Sequence, residues 1–270
     1  MRQYDTIELS EMLEPQQHPE LSETKWYERS FGPDYLKVYP HRDSQEAMQH
    51  VRFALEKTNV KAPSLVLDVG CGFGRHSMAL SELGFEPVGL DLSMSLLKKA
   101  RTESMEIKTT SSWVRGDMRT LPFNNSFHAA FNFFTSFGYF DDAENERVLS
   151  SIYSILKPNG KFFFDYMNID YVIPRLVRQD IIEKNGIKIL QQRRFNADKK
   201  RIEKKISLKE NGDWRYYFES VRAYSRKEID LLFRRTGFKN IATFGDYGGK
   251  PYSANSPRLI CIGEKGDESC

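Results

Sequence analysis

The chain has 270 residues, 40% of them hydrophobic and 13% aromatic, with a formal net charge of +3. This fits one large α/β domain and argues against intrinsic disorder. No stretch approaches the roughly 20 apolar residues of a membrane helix. The polar, acidic first twenty residues lack the profile of a secretion signal, and Cys71, Cys261 and Cys270 have no metal or disulfide spacing, so a cytoplasmic setting is expected.

Residues 1–60 read as an N-terminal lid or helical segment. It is aromatic-rich at Trp26, Tyr27, Phe31, Tyr35 and Tyr39, and a helix over 44–58 carries Ala47, Val51, Ala54 and Leu55 on one face. Residues 64–68 form a buried-strand pattern, followed by a helix over 75–83 that stops at Gly84. A second strand is expected at 86–91 and a helix capped by Ser93 runs to about 103. Short strands follow at 113–115 and 127–134, then a helix over 143–156, a turn at 157–160 and a Phe-rich fifth strand at 161–166. Strands alternating with helices predict a parallel sheet with right-handed crossovers.

Residues 171–223 break this rhythm. Asn185-Gly186 and Asn211-Gly212 are hairpin dipeptides, and 187–190, 202–208 and 214–221 have strand character, so an antiparallel insert after strand five is expected. Ile202, Ile206 and Leu208 would point inward, either over the site or into a dimer contact. A helix from Ser225 to Gly237 and strands at 241–244 and 258–263 complete one domain over 1–270. Residues 171–240 hold 19 Lys and Arg against 9 Asp and Glu. Such a basic stretch suits either a solvated strand face or an anionic partner.

The chemistry is concentrated between strand one and its helix, where Asp68 is followed by glycines at 70, 72 and 74. Glycines there permit a sharp turn and close backbone approach to a ligand. The dinucleotide fingerprint G-x-G-x-x-G does not fit, because the third glycine comes one residue early. Asp91 ends strand two, where a carboxylate can accept from both ribose hydroxyls. Gly116, Asp117 and Met118 follow strand three, placing an acceptor and an apolar contact where a purine would lie.

With these residues in this order, 65–166 resemble the class I S-adenosylmethionine (SAM)-dependent methyltransferase core. The resemblance implies a Rossmann-like seven-stranded methyltransferase sheet, with S-adenosyl-L-methionine as cofactor and S-adenosyl-L-homocysteine as product. It also implies the cofactor contacts: Gly70, Cys71 and Gly72 beside the methionine moiety and Asp68 organising its amino end. Asp91 would hold the ribose, Leu92 would lie beside the adenine with Asp117 and Met118 on it, and the backbone at Asn132 and Phe133 would approach the methionine portion. Trp26-Tyr27, the segment 39–42, the segment 134–140 and the closing 245–258 are similar to a group of bacterial small-molecule methyltransferases, with some likeness to sugar N,N-dimethyltransferases.

The acceptor site is expected at the carboxyl edge of the sheet. Tyr27, Tyr39, Arg42, Phe137, Tyr139 and Tyr166 are its candidate binding residues. Tyr139, His41 and Arg42 are the candidates nearest the chemistry, Arg42 for an acidic group on the acceptor and His41 as a base; His76, beside the glycine loop, is read as structural or cofactor-side. Methyl transfer needs alignment and desolvation rather than a nucleophile or metal, and no metal motif is seen. The expected partner is a small-molecule acceptor at N or O, without a membrane, for a monomer or homodimer. The alternatives are an RNA methyltransferase, which the basic insert would serve, and a non-catalytic SAM-binding protein.

Overall fold

The computed structural model describes residues 25–40 and 43–267. Two short helices, α1 (Trp26–Ser30) and α2 (Tyr35–Val38), precede α3 (Ser44–Thr58). Asp43 caps α3 by accepting from the Glu46 amide at 2.8 Å. Ala47, Val51 and Ala54 are fully buried on its inner face.

The α/β alternation follows as β1 (Leu65–Val69), α4 (Arg75–Glu82), β2 (Glu86–Asp91), α5 (Met94–Glu106), β3 (Ser112–Arg115), β4 (Phe127–Asn132), α6 (Asp142–Ile155) and β5 (Leu156–Met167). After α7 (Ile169–Val172) come β6 (Gln179–Lys184), β7 (Ile187–Asn196), β8 (Arg201–Glu210) and β9 (Asp213–Arg222). The chain then closes with α8 (Arg226–Thr236), β10 (Lys239–Phe244) and β11 (Arg258–Glu264). The large sheet has seven strands in the order β10-β11-β5-β4-β1-β2-β3. β1 pairs in parallel with both β2 and β4, whereas β11 lies antiparallel to β5. The strand order therefore reverses at β1 and β4, where a crevice opens at the carboxyl ends.

Alternation assigns residues to the two faces. Leu67, Ala130, Phe162 and Phe164 pack on the side of α6 and α8, while Val66, Ala129, Phe131 and Phe163 pack on the side of α3 and α4. The three consecutive phenylalanines are all fully buried, each contributing roughly 1.5–3 kcal/mol by burial. The turn expected at 157–160 is instead a bulge inside β5. The pairing jumps from Phe127 with Leu156 to Ala129 with Lys161, and Asn159 takes a left-handed conformation at φ 61°.

The insert is a four-stranded antiparallel sheet, β6-β7-β8-β9. Both of its Asn-Gly turns have positive φ at each residue (52° and 73°; 54° and 89°), the geometry that matches strand twist in two-residue hairpins. Its first strand, β6, was not expected. The insert docks on the N-terminal helices: Ser30 Oγ donates to the Phe218 carbonyl at 2.6 Å, Tyr217 donates to Asp34 at 2.6 Å, and Lys37 pairs with Glu210 at 2.7 Å. Ile189, Ile206 and Leu208 bury against Val38. Arg201 fastens the sheet to the segment after β4, donating to the carbonyls of Gly138 and Phe140 at 3.0 and 2.9 Å. The insert thus covers the crevice. Among the described residues no helix is long and apolar enough to cross a membrane.

Candidate functional site

A cavity of about 610 Å³ lies at the switch point, walled by the loops after β1, β2, β3 and β4, by α1 and α2, and by β9 of the insert. Gly70 turns the chain out of β1 at φ 73°, and a Cβ there would lie 2.8 Å from the Ser136 Cβ, so the loops after β1 and β4 meet at this glycine. Gly74 has a different task. At φ 82° it sits under Trp113, and a Cβ would meet the indole Cζ3 at 2.6 Å. The third glycine of the motif thus serves helix–strand packing.

The loop's amides are engaged within the protein. Gly70 and Cys71 donate to the Leu90 carbonyl at 2.8 and 3.1 Å, and Gly74 donates to the Cys71 carbonyl at 3.0 Å. Gly72 donates to Asp91 Oδ2 at 2.8 Å. These four amides do not form an open pyrophosphate cradle, a second reason, beside the glycine spacing, why a dinucleotide site does not fit.

Asp91 also accepts from the Ser93 amide at 2.8 Å through Oδ1. Its carboxylate is fixed by two backbone donors, and its remaining lone pairs can face the cavity it lines. Burial raises its proton affinity, and those amides oppose the rise. Asp117 lines the cavity at the end of β3, held by the Arg119 guanidinium at 2.6 Å. Burial would raise its pKa, but the Arg119 contacts prevail and hold it below the usual carboxylate range. Arg119 in turn reaches Glu144 at 2.5 Å.

Phe134 and Thr135, after β4, both have positive φ (56° and 63°), a costly conformation outside glycine. It is held by Asp165, fully buried on β5. The Asp165 carboxylate accepts from the Phe134 amide at 2.8 Å, Tyr247 at 2.8 Å and Arg258 at 2.6 Å. Arg258 also donates to Thr135 Oγ1 at 2.9 Å.

The far wall is aromatic. Tyr139 packs 5.1 Å from Trp26 and 5.4 Å from Phe31. Phe31 packs 5.4 Å from Tyr35, which lies 5.1 Å from Tyr39. Tyr39 donates to Glu219 at 2.7 Å and accepts from Lys204 at 2.8 Å. Glu219 and Val221, two residues apart on β9, face the cavity. Burial pushes the Tyr39 hydroxyl well above its ordinary pKa, so it remains a donor.

Of the cofactor candidates, Gly70, Gly72, Asp91, Leu92, Asp117 and Met118 line the cavity. Asp68, Cys71, Asn132 and Phe133 lie behind its wall. Asp68 accepts from Ser77 at 2.6 Å, and burial raises its pKa to about 7. The Cys71 thiol packs against Gly89. Asn132 donates to the carbonyls of Val69 and Ser136 at 3.0 and 2.9 Å, tying β1 to the loop after β4. Phe133 stacks on His76 at 4.2 Å, which places both in the packing behind the loop.

Of the acceptor candidates, Tyr27, Tyr39 and Tyr139 line the cavity. The structure corrects two others. Phe137 and Tyr166 are fully buried core residues, because β9 and α8 cover that part of the sheet edge, and the Tyr166 hydroxyl donates to the Arg222 carbonyl. His41 and Arg42 lie outside the described residues. Glu219, Thr135, Ser136 and Phe31 line the cavity but were not expected to. No signal marked Glu219, since a charged residue in a strand of mixed polarity reads as solvent-facing.

A family model described as a methyltransferase domain matches residues 66–160. An uncharacterised protein of Methanocaldococcus jannaschii is 30% identical over 229 residues, covering 84% of this chain and 81% of that one. A glycine/sarcosine N-methyltransferase of Parasynechococcus marenigrum is 26% identical over 246 residues, covering 86% and 84%. Among solved structures, an S-adenosylmethionine-dependent methyltransferase from Clostridium acetobutylicum matches with a TM-score of 0.74 at 16% identity, covering 86% of this chain and 96% of that one. A sugar N-methyltransferase from Streptoalloteichus matches at 0.68 and 20% identity, covering 87% and 94%.

A seven-stranded sheet with its last strand reversed, a glycine loop braced by the carboxylate ending β2, and a cavity at the switch point define the Rossmann-like methyltransferase class. Residues 66–160 belong to the methyltransferase domain family, and the chain shares its fold with S-adenosylmethionine-dependent methyltransferases.

Proposed function

We propose that the protein transfers the methyl group of S-adenosyl-L-methionine to N or O of a small molecule held between the glycine loop and the insert. The carrying observation is the partial cover over the crevice. α1, α2 and β9 roof the crevice and leave a cavity of about 610 Å³, within the range of small-ligand sites. A polymer would need an open groove in their place. The basic insert does not favour RNA, because several of its arginines are engaged inside the protein. Arg201 binds backbone carbonyls, Arg215 pairs with Asp34, and Arg222 pairs with Asp142 and Glu228.

The bound donor supplies a methyl group made electrophilic by its sulfonium charge. In this reading the paired oxygens of Asp91 hold the ribose hydroxyls, Asp117 and Met118 take the adenine, Leu92 flanks it, and Gly70 and Gly72 let the methionine moiety pass close to the backbone. Among the described residues, the charged side chains lining the cavity are Glu28, Asp91, Asp117 and Glu219 against Arg115. This balance suits a cationic ligand. Asp68, Cys71, Asn132 and Phe133 support the loops from behind. Tyr139 and Tyr39 orient the acceptor and, with Trp26 and Tyr27, exclude water.

The test is label transfer from methyl-tritiated SAM to a cell extract separated into metabolite and RNA fractions. Label is expected among the metabolites. Label confined to RNA, or in neither fraction while SAM binds, overturns the small-molecule reading.

A further inference from the structure

The insert contributes one carboxylate to the cavity, and its surroundings specify what it recognises. Glu219 stands at the end of the aromatic row Tyr139, Phe31, Tyr35, Tyr39. Lys204 donates to the Tyr39 oxygen at 2.8 Å, so the Tyr39 proton is directed to Glu219, which it reaches at 2.7 Å. The Lys204 ammonium is turned toward Tyr39, 4.3 Å from the ring centroid, and does not line the cavity. Tyr39 fixes the Glu219 carboxylate, which retains lone pairs for a ligand.

We propose that Glu219 recognises the acceptor and that the acceptor is a primary or secondary amine. The inference rests on the small-molecule reading and narrows it. A neutral amine donates one N–H to Glu219, leaving its lone pair for the methyl group. An acceptor arriving as an ammonium ion gives up one proton to solvent on binding. In the transfer the nitrogen lone pair forms the N–C bond while the donor's C–S bond breaks. That electron pair stays on sulfur, and the product leaves as a protonated amine. Positive charge therefore grows on nitrogen, where a fixed carboxylate and the faces of Tyr139, Phe31 and Tyr35 stabilise it. A hydroxyl acceptor instead has to lose its proton, and one carrying a carboxylate or phosphate would meet Glu219 with like charge.

The experiment uses the full chain with methyl-tritiated SAM and a cell metabolite extract. Charcoal removes adenosyl compounds, and the remainder passes over a cation exchanger at pH 2, where alkylamines are charged. Retained label, released as a methylamine on product analysis, is the expected result. Label wholly in the flow-through overturns the amine assignment while leaving the small-molecule reading intact. Absence of label from the metabolites overturns both. With the labelled acceptor, Glu219→Gln is expected to keep SAM affinity within about twofold and raise the acceptor KM by about 10-fold or more, the scale of a charged hydrogen bond. An unchanged KM, or an equal loss of SAM affinity, refutes the role of Glu219. If Glu219→Gln melts early, Glu219→Asp supplies the same comparison, because it keeps the charge and shortens the reach.

Discussion

Replacing Asp91 with Asn tests the donor end of the cavity. The carboxylate accepts from Gly72 and Ser93, each at 2.8 Å. An amide can accept from one of these while its NH2 faces the other, donor against donor. The ribose hydroxyls meanwhile lose a charged acceptor, worth about 1.5–3 kcal/mol. SAM affinity should fall by roughly 10- to 150-fold. S-adenosylhomocysteine should lose as much, because it carries the same ribose. The apo protein should change less, since a neutral side chain escapes the burial that raises the Asp91 pKa. Calorimetric titration with both ligands, beside thermal melts of the apo proteins, measures this. A SAM affinity within threefold of wild type, or a loss for SAM alone, refutes the assignment of Asp91 to the ribose.

Asp68 gives a pH-dependent counterpart. Its folded pKa of about 7 lies above the ordinary 3.8, so the folded state binds the extra proton. Its contribution is therefore fully present below pH 4 and is lost as pH rises to 7, about 4 kcal/mol in all. Asp68→Asn should remove this pH dependence, so that variant stability relative to wild type, measured in urea, rises by about 4 kcal/mol between pH 4 and 7; a parallel pair of curves over that range would show that the proton is not held there. Gly74→Ala adds left-handed strain, about 1–2 kcal/mol, to overpacking against Trp113, about 1–3 kcal/mol. Denaturant unfolding should show about 2–5 kcal/mol of destabilisation, with part restored by Trp113→Leu. A cost below about 1 kcal/mol would mean that Gly74 is not the packing glycine.

The fold was legible because its signals are local. Asp43, Ser93 and Ser225 begin helices with side-chain caps, and two Asn-Gly pairs make the insert turns. The strand β6 was missed because its apolar residues, Ile181 and Ile182, are adjacent and do not alternate. It is an edge strand and exists by pairing with β7. The donor end of the site was also readable, since its loops follow their strands directly. The acceptor end depends on contacts across long stretches of chain. Whether Tyr166 points at a ligand or into the core depends on Arg222, 56 residues away. Whether Glu219 meets water or a cavity depends on Tyr39, 180 residues away, and local sequence patterns carry neither fact.

The insert is a plain ladder of hairpins with unbroken pairing from Arg201 to Glu210 along β8 and β9. On such a ladder, alternate side chains belong to different worlds. On the amine reading, the residues at 219 and 221 choose the acceptor, whereas the Phe218 side chain belongs to the core cluster that holds Trp26 and Tyr27 of α1 and the Ser220 hydroxyl accepts from Arg201 on β8. On that reading these two positions are separate from the donor-binding loops after β1, β2 and β3. Exchanging two or three positions of one strand would redirect the enzyme to a new substrate without touching the machinery that binds the donor. A library confined to those positions is the natural starting point for engineering it.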